Sequence, residues 1–310
     1  MEIRDMAELG SEAPSEERDA ATRKSTWTSV AVNLCLSITQ VITGFFSSSQ
    51  GLIADGIHSL SDLVADFVVL IAAHHSKKEA DENHHYGHQR YENGASLALG
   101  AILLAVGIGM AWSAAHKLEA PETIATVHMA ALWVALVALV AKELLFRYML
   151  AVAERVRSSM LVANAWHARS DAASSLVVAI GIGGNLLGLP LLDPVAALIV
   201  GIMVGKMGWS FFWDALHDLM DRSAAEEQIK AISETISNTP GVLGFHDLKT
   251  RKTGDMILAD VHLEIDGQLT VEQGHDIALL VTTNVMSNHP VLHLMTHVDP
   301  AITTDENSNR

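Results

Sequence analysis

Two long stretches without a single charged residue constrain the fold of this chain most. One covers residues 25–54 and the other covers residues 94–116. A transmembrane α-helix needs about 20 consecutive apolar residues, because its backbone must satisfy its hydrogen bonds internally. Further apolar blocks cover residues 52–73, 123–141, 161–192 and 194–213. The pattern predicts a helical membrane protein with six transmembrane helices, and an even number of spans places both termini on one side of the bilayer.

Apolar and acidic residues are segregated along the chain. The 310 residues are 49% hydrophobic, yet they carry a formal net charge of −16. We predict four segments: a disordered acidic tail over residues 1–22, a transmembrane domain over 23–215, a water-soluble domain over 222–300 and a tail over 301–310. The single cysteine, Cys35, excludes an intrachain disulfide and a thiol-rich metal site. No nucleic acid is predicted as a partner.

Basic residues predict the orientation in the membrane. The N-terminal tail and the segments around residues 75–93 and 144–158 contain ten Lys and Arg residues, whereas the opposite loops contain Lys117 alone. Loops rich in Lys and Arg stay in the cytoplasm. Both termini are therefore predicted to be cytoplasmic, in a multi-pass protein without a cleavable signal peptide.

One short pattern occurs twice inside the apolar stretches. His58 precedes Asp62 by four residues, and His167 precedes Asp171 by the same spacing. Residues four apart lie about 40° apart around a helix, so each pair points towards one place. Two imidazoles and two carboxylates suit a tetrahedral divalent metal such as zinc, and ionisable groups inside a membrane usually line a substrate path or pair with each other. The alternative is two His/Asp pairs that satisfy one another.

Three other charged groups lie in or near these stretches. Asp55 and Asp66 extend the helical face of His58 and Asp62. They are interpreted either as part of a proton or cation path or as residues at helix ends near water. Lys142 and Glu143 are predicted to pair with each other near the cytoplasmic end of the fourth span.

The C-terminal third changes to the pattern of a small α+β domain. Residues 224–237 have the apolar spacing of an amphipathic helix, residues 256–265 alternate with a period of two, and residues 271–288 form a second helix. With strands around 242–250 and 291–299, the predicted order is α-β-β-α-β, a small open sheet with helices on one face. Leu292, Leu294 and Val298 are expected to face inward.

Metal-ligand residue types are frequent on the polar side of this domain. They are His246, His262, His275, His297 and Asp299. His297 and Asp299 stand two apart on one strand face, and His262 lies on a neighbouring strand, so a second metal site is predicted. Each histidine taken alone is equally well interpreted as an ordinary surface residue.

The segment between the second and third spans is rich in histidine. Asp81, His84, His85 and His88 lie within eight positions. Such a cluster indicates metal binding or a pH-sensitive hinge, and a polar loop with local hydrogen bonds is the alternative.

These motifs together resemble a known family. The sequence contains, in order, HSLSD, a YGH loop, HARSD, GFHDLKTR, VHLEIDG and THVDP, over roughly residues 23–300. This arrangement resembles the cation diffusion facilitators, and closely their bacterial zinc and ferrous-iron efflux members. The resemblance implies a homodimer in the bacterial inner membrane, with six spans and a ferredoxin-like cytoplasmic domain, that exports divalent cations in exchange for protons and is not an enzyme.

The resemblance also implies three sets of metal ligands. The transport site would contain His58, Asp62, His167 and Asp171, and the loop site would contain Asp81, His84 and His88. The cytoplasmic sites would draw on His246, His262, His275, His297 and Asp299, and Arg90 would pair with Asp221. His58 stands where the closest bacterial zinc members have Asp, which favours Zn²⁺ over the harder Mn²⁺.

Zinc is thus the expected substrate and a regulatory ligand, with ferrous iron, cobalt, nickel and cadmium as alternatives. A membrane metal sensor and a membrane metalloenzyme are the other function classes. The enzyme is disfavoured because the spans contain no HExxH pattern.

Overall fold

A computed structural model describes residues 15–76, 78–155 and 159–301 of the chain. The remainder of the predicted tails, residues 1–14 and 302–310, lies outside the described residues. Six long helices come first: α1 Ser15–Phe46, α2 Gln50–Ser76, α3 Arg90–Glu119, α4 Met129–Arg155, α5 Ser159–Leu186 and α6 Leu192–Leu219. They are followed by α7 Glu226–Ser237, β1 Gly244–Thr253, β2 Met256–Asp266, α8 Val271–Asn288 and β3 Val291–Ala301.

Five of the helices in the described part of the chain are long and apolar enough to cross a membrane. They are residues Arg23–Phe46 of α1, together with α2, α3, α4 and α6. The remaining long helix, α5, has 28 residues, but its first half carries His167, Arg169 and Asp171, which lower its hydropathy. Five spans are thus supported by composition, and the sixth stays a prediction.

A turn interrupts the first charge-free stretch. Helix α1 ends at Phe46, α2 begins at Gln50, and Ser48 between them has a φ of +56°. The hydroxyl of Ser49 and the amides of Gln50 and Gly51 donate to the carboxylate of Asp193, at 2.6, 2.7 and 3.2 Å. This carboxylate satisfies the unpaired amides at the start of α2. The prediction of one span over residues 25–54 was wrong, because a side chain distant in sequence caps the new helix.

The chain divides into two compact units. The first comprises the chain up to Phe67 together with Ala101–Trp209, and the second comprises Val68–Gly100 and the chain from Ser210 onward. In the first unit, small and branched side chains form the largest buried core: Leu52, Ala54, Ala131, Ala135, Val178, Ile182, Ala196, Val200 and Val204. In this unit, α4 packs against both α5 and α1.

The second unit contains the predicted α+β domain. Its sheet has the order β1-β2-β3, with β1 and β2 antiparallel and β2 and β3 parallel. The predicted α-β-β-α-β order is confirmed. Alternate residues of β2 are buried as the period of two predicts: Ile257, Ala259, Val261, Leu263 and Ile265. They pack with Ile232 and Ile236 of α7 and with Val281 and Val285 of α8.

The burial of β3 departs from the prediction. Val291 and Leu294 are buried, whereas Val298 is 38% exposed. The pairing with β2 shifts between Ile257 and Leu258, so that Leu258 faces His293 and Leu292 is passed over. Such an irregularity displaces the alternation of inward and outward side chains by one residue.

Helices α3 and α6 approach closely through glycine. A Cβ added at Gly107 would lie 2.3 Å from the backbone nitrogen of Gly205 and 2.9 Å from the carbonyl oxygen of Gly201. A Cβ at Gly109, on the same helix, would meet no atom within 4 Å. Small residues let transmembrane backbones pack against each other in this way.

We expect Gly107→Ala to lower the free energy of unfolding by about 1–3 kcal/mol, because overpacking forces the two backbones apart. Gly109→Ala is the matched control and should stay within about 0.5 kcal/mol of the native protein. Thermal unfolding of both variants in the same detergent measures the difference. Equal stability of the two variants would contradict the close approach of α3 and α6.

Candidate metal centres

The first candidate centre lies in the helical unit and joins α2 to α5. His58, Asp62 and Asp171 each contribute a ligand atom, and these atoms all lie within 4.8 Å of one another. His58 Nδ1 is 3.4 Å from Asp62 Oδ2, as the spacing of four residues on a helix predicts. The fold thus brings together three of the four residues that the repeated motif indicates.

The potential ligand atoms of this centre lack hydrogen-bond partners. His58 is 6% exposed. Its Nδ1 and both carboxylate oxygens of Asp62 are buried and accept or donate no hydrogen bond within the described part of the chain. Buried polar atoms are nearly always paired, because leaving them unpaired costs the desolvation energy of each group. Three unpaired atoms at one place are therefore suited to holding a cation.

His167 does not join this cluster. Its side chain is exposed and lies outside the group formed by His58, Asp62 and Asp171. The prediction of four converging ligands is therefore not met by the side-chain positions in the structure. His167 is one helical turn from Asp171, so the two share a helix face.

The most deeply buried charges of the helical unit lie beside this centre, and the sequence analysis paired them wrongly. Lys142 contacts Asp55, with Nζ 3.4 Å from Oδ1, whereas Glu143 accepts from Arg147 at 2.8 Å. Consecutive residues of a helix point about 100° apart, so Lys142 faces the bundle while Glu143 does not. The sequence carried a usable signal, because a lysine within an apolar span requires a buried partner.

The second candidate centre is in the segment before α3. Asp81 Oδ2 is 3.4 Å from His88 Nε2, and Asp81 Oδ1 is 3.5 Å from His84 Nδ1. Nδ1 of His88 lies 3.1 Å from the carbonyl oxygen of Glu79. A carbonyl only accepts, so Nδ1 carries the proton and Nε2 keeps its lone pair towards Asp81. This arrangement orients a histidine for metal binding.

The carboxylate of Asp81 is ionised at neutral pH. Lys78 donates to it at 2.6 Å, and the backbone amides of Asn83 and His84 donate at 3.0 and 2.9 Å. These donors hold the pKa of Asp81 well below its usual range. His84 and His88 also line a cavity of about 890 Å³ together with Arg90, Tyr91 and Arg251.

The third candidate centre follows from strand register. His246 pairs with His262 across β1 and β2, and His262 pairs with His297 across β2 and β3. The ring centroids of adjacent histidines are 5.1 and 4.6 Å apart. Three histidines thus form a row across the sheet, on the face opposite the buried residues of β2.

Asp299 connects the three histidines of this row. His262 Nδ1 donates to Asp299 Oδ2 at 2.9 Å, and Nε2 of His297 and of His246 lie 3.3 and 3.7 Å from its oxygens. The bond from His262 and the neighbouring imidazoles lower the pKa of the Asp299 carboxyl. The His262–Asp299 bond therefore stabilises the fold above the ordinary carboxyl pKa, and this contribution is lost as pH falls through the lowered value.

Ligand atoms of His246, His262 and Asp299 meet within 4.8 Å, whereas His275 is exposed on α8 and takes no part. The prediction for His275 was wrong, because helix α8 supplies apolar side chains to the opposite face of the sheet. Arg90 lies where expected: its Nη2 donates to Asp221 Oδ1 at 2.5 Å within the same chain.

Comparison with known families identifies the class of protein. The family described as "Cation efflux transmembrane domain" matches residues 26–220. The family described as "Cation efflux protein, cytoplasmic domain" matches residues 224–301. The chain belongs to the cation efflux family, the cation diffusion facilitators. It is a multi-pass membrane protein, and members of this family transport divalent metal cations and are not enzymes.

Curated relatives extend over most of the chain. "Metal tolerance protein C1" of Arabidopsis thaliana is 34% identical over 93% of this chain, which spans 64% of that relative's length. "Manganese efflux system protein MneS" of Bacillus subtilis is 32% identical, over 88% of this chain and 93% of the relative. Among solved structures, a MamM-CTD variant is 28% identical and covers 25% of this chain and 98% of that chain, with a TM-score of 0.24.

We expect the C-terminal domain, expressed as residues 222–310, to bind zinc through the histidine row. His262→Ala or Asp299→Ala should weaken binding at least about tenfold, because each removes a ligand or its orienting partner. Binding should also weaken as pH falls, since a protonated imidazole cannot coordinate a metal while the Asp299 carboxylate is already ionised. Calorimetry measures both effects.

The matched control is His275→Ala, which removes an exposed histidine outside the row and should leave zinc binding unchanged. If the unaltered domain binds no zinc, or if His275→Ala weakens binding as much as His262→Ala, the third candidate centre is wrong.

Proposed function

We propose that this protein exports zinc from the bacterial cytoplasm as a metal/proton antiporter that works by alternating access. The proposal rests on one observation above all: His58, Asp62 and Asp171 converge in the helical unit with three buried ligand atoms unpaired. An ionisable cluster within membrane-spanning helices is costly unless it binds something. In the proposed metal-bound state, rotation of the His167 side chain supplies the fourth ligand of a tetrahedral site.

The ligand chemistry favours zinc over manganese. Imidazole nitrogen is a borderline ligand that suits Zn²⁺, whereas Mn²⁺ prefers a set of hard oxygen ligands. His58 and His167 would supply two nitrogens to this site. A relative carries the name of a manganese efflux protein, so the competing proposal is a carrier mainly for manganese, ferrous iron, cobalt, nickel or cadmium.

Proton exchange follows from the same ligands. A histidine must be neutral to coordinate a metal, so zinc binding displaces protons from any protonated ligand. In the proposed cycle, His58 and His167 release protons to the cytoplasm when zinc binds and take up protons when zinc leaves on the other side. Proton entry would then drive zinc export.

We also propose a homodimer in the bacterial inner membrane, with both termini in the cytoplasm. The excess of Lys and Arg in the N-terminal tail and in the segments around residues 75–93 and 144–158 supports this orientation. The exposed loop and C-terminal clusters would then face cytoplasmic zinc and regulate transport by stabilising one conformation. A membrane-anchored metal sensor without transport is the alternative function.

Asp62→Ala should abolish zinc transport, because a missing ligand in a low-dielectric site weakens metal binding strongly. Zinc flux into proteoliposomes that contain the purified protein measures this effect. Asp260→Ala makes the same chemical change at an exposed position of β2 and should transport normally. Normal flux through Asp62→Ala would disprove the site assignment.

The same proteoliposomes, loaded with a pH-sensitive dye, test the coupling to protons. An imposed zinc gradient should produce a proton flux in the opposite direction in the native protein and none in Asp62→Ala. Zinc flux without proton counterflow contradicts antiport, and binding without any flux favours the sensor.

His58→Asp should change the ranking of cations. The substitution replaces a borderline nitrogen by a hard anionic oxygen, so Mn²⁺ and Fe²⁺ should compete better against Zn²⁺, with a relative change on the order of tenfold. Competition between these cations for transport measures the ranking. An unchanged ranking would show that His58 does not select the cation.

A further inference from the structure

A buried ion pair beside the transmembrane centre has no role in the proposed cycle so far. Lys142 on α4 is 1% exposed, and Asp55 on α2 is fully buried. Taking two charges out of water is expensive, and their mutual attraction seldom compensates in full. A pair of this kind is therefore poorly explained as a means of stabilising the helices, and its position is more informative.

The ammonium of Lys142 contacts two helices that are not its own. It donates to Ser59 Oγ of α2 at 2.9 Å and to Ser175 Oγ of α5 at 2.8 Å. Its Nζ also lies 3.5 Å from the backbone carbonyl oxygen of Asp171. Ser59 adjoins His58, and Asp171 is itself a candidate ligand. Lys142 thus contacts both ligand-bearing segments directly.

The carboxylate of Asp55 completes the same network. Gln40 Nε2 of α1 donates to Asp55 Oδ2 at 2.5 Å. Ser175 donates to Oδ2 at 2.6 Å, and Ser174 donates to Oδ1 at 3.0 Å. Asp55 stands one helical turn before His58, so it lies on the ligand-bearing face of α2. Four helices, α1, α2, α4 and α5, therefore meet at one pair of opposite charges.

The pair also settles the charge balance near the centre. Asp55 and Lys142 neutralise each other, which leaves the two carboxylates of Asp62 and Asp171 to balance a divalent cation. Inside a low-dielectric bundle, one additional fixed charge acts on a bound cation with little screening. Loss of either member alone would leave a charge of the wrong number beside the ligands.

We propose that Lys142 and Asp55 are positioning residues, a charge-balanced clamp that holds the His58–Asp62 segment of α2 against the Asp171 segment of α5 and thereby sets the affinity and ranking of the transported cations. This inference rests on the proposed function. A purely structural role would reduce the amount of folded protein but leave the apparent KM and the cation ranking of the folded fraction unchanged.

The experiment uses the full chain in proteoliposomes and compares Asp55→Asn, Lys142→Met and the double variant. In folded protein, each single variant should raise the apparent KM for zinc on the order of tenfold and alter the ranking of Zn²⁺ against Mn²⁺. The double variant should perform better than either single variant, because two residues that act as a unit are non-additive.

Lys206→Met is the matched control, because it makes the same chemical change at an exposed lysine of α6. Its KM and cation ranking should equal those of the native protein. The clamp is overturned if either single variant folds and keeps the native KM and ranking, or if the losses simply add in the double variant.

Serine variants preserve the test if the charge variants do not fold. Ser59→Ala and Ser175→Ala remove the acceptors of Lys142 while keeping both charges, and each should raise the KM about threefold, the loss of a modest hydrogen bond. Ser61→Ala on α2, whose hydroxyl donates to the carbonyl of Ile57, should not. Unchanged KM and ranking in both test variants would reject the clamp.

The native protein and Asp62→Ala separate this inference from the proposed function. If the native protein transports zinc and Asp62→Ala does not, but the clamp variants behave normally, only the clamp fails. If the native protein transports no divalent cation at all, the proposed function itself fails, and the clamp loses its basis.

Discussion

The cost of placing charge inside a bilayer governs this structure. Each ionisable group in the helical unit either has a buried partner or is placed to receive one. Lys142 and Asp55 neutralise each other, and the carboxylate of Asp193 accepts the unpaired amides at the start of α2. His58 and Asp62 are the exception, because their ligand atoms are buried without hydrogen-bond partners in the described residues. That contrast, more than the residue types alone, distinguishes a centre for a cation from an internal salt bridge.

The three candidate centres differ in the same physical terms. In the loop and C-terminal centres the carboxylates are already hydrogen-bonded and stay ionised, Asp81 through Lys78 and Asp299 through His262. A metal that binds there must compete with these partners and with water. The transmembrane centre offers unpaired atoms in a drier environment, where a cation gains more. This difference suits one site that carries the substrate and others that respond to its concentration.

Local pattern predicted the elements well where a single helix or strand determined the outcome. The periods of the C-terminal third predicted its helices and strands in order, and the spacing of His58 and Asp62 placed both on one helical face. Prediction failed where a partner distant in sequence decided. Asp193 ends the first span early by capping α2, Asp55 takes Lys142 away from Glu143, and a shift in strand register exposes Val298.

The sequence by itself therefore determined that the chain enters a membrane, that it ends in an α+β domain, and which residue types are available as metal ligands. These properties follow from hydropathy and periodicity, which act over a few helical turns. The tertiary structure alone decided which of those residues meet: Asp171 joins His58 and Asp62, His246 joins His262 and Asp299, and His275 stays apart on its helix. Convergence depends on how separate helices and strands pack, and no local pattern in the chain encodes that distance.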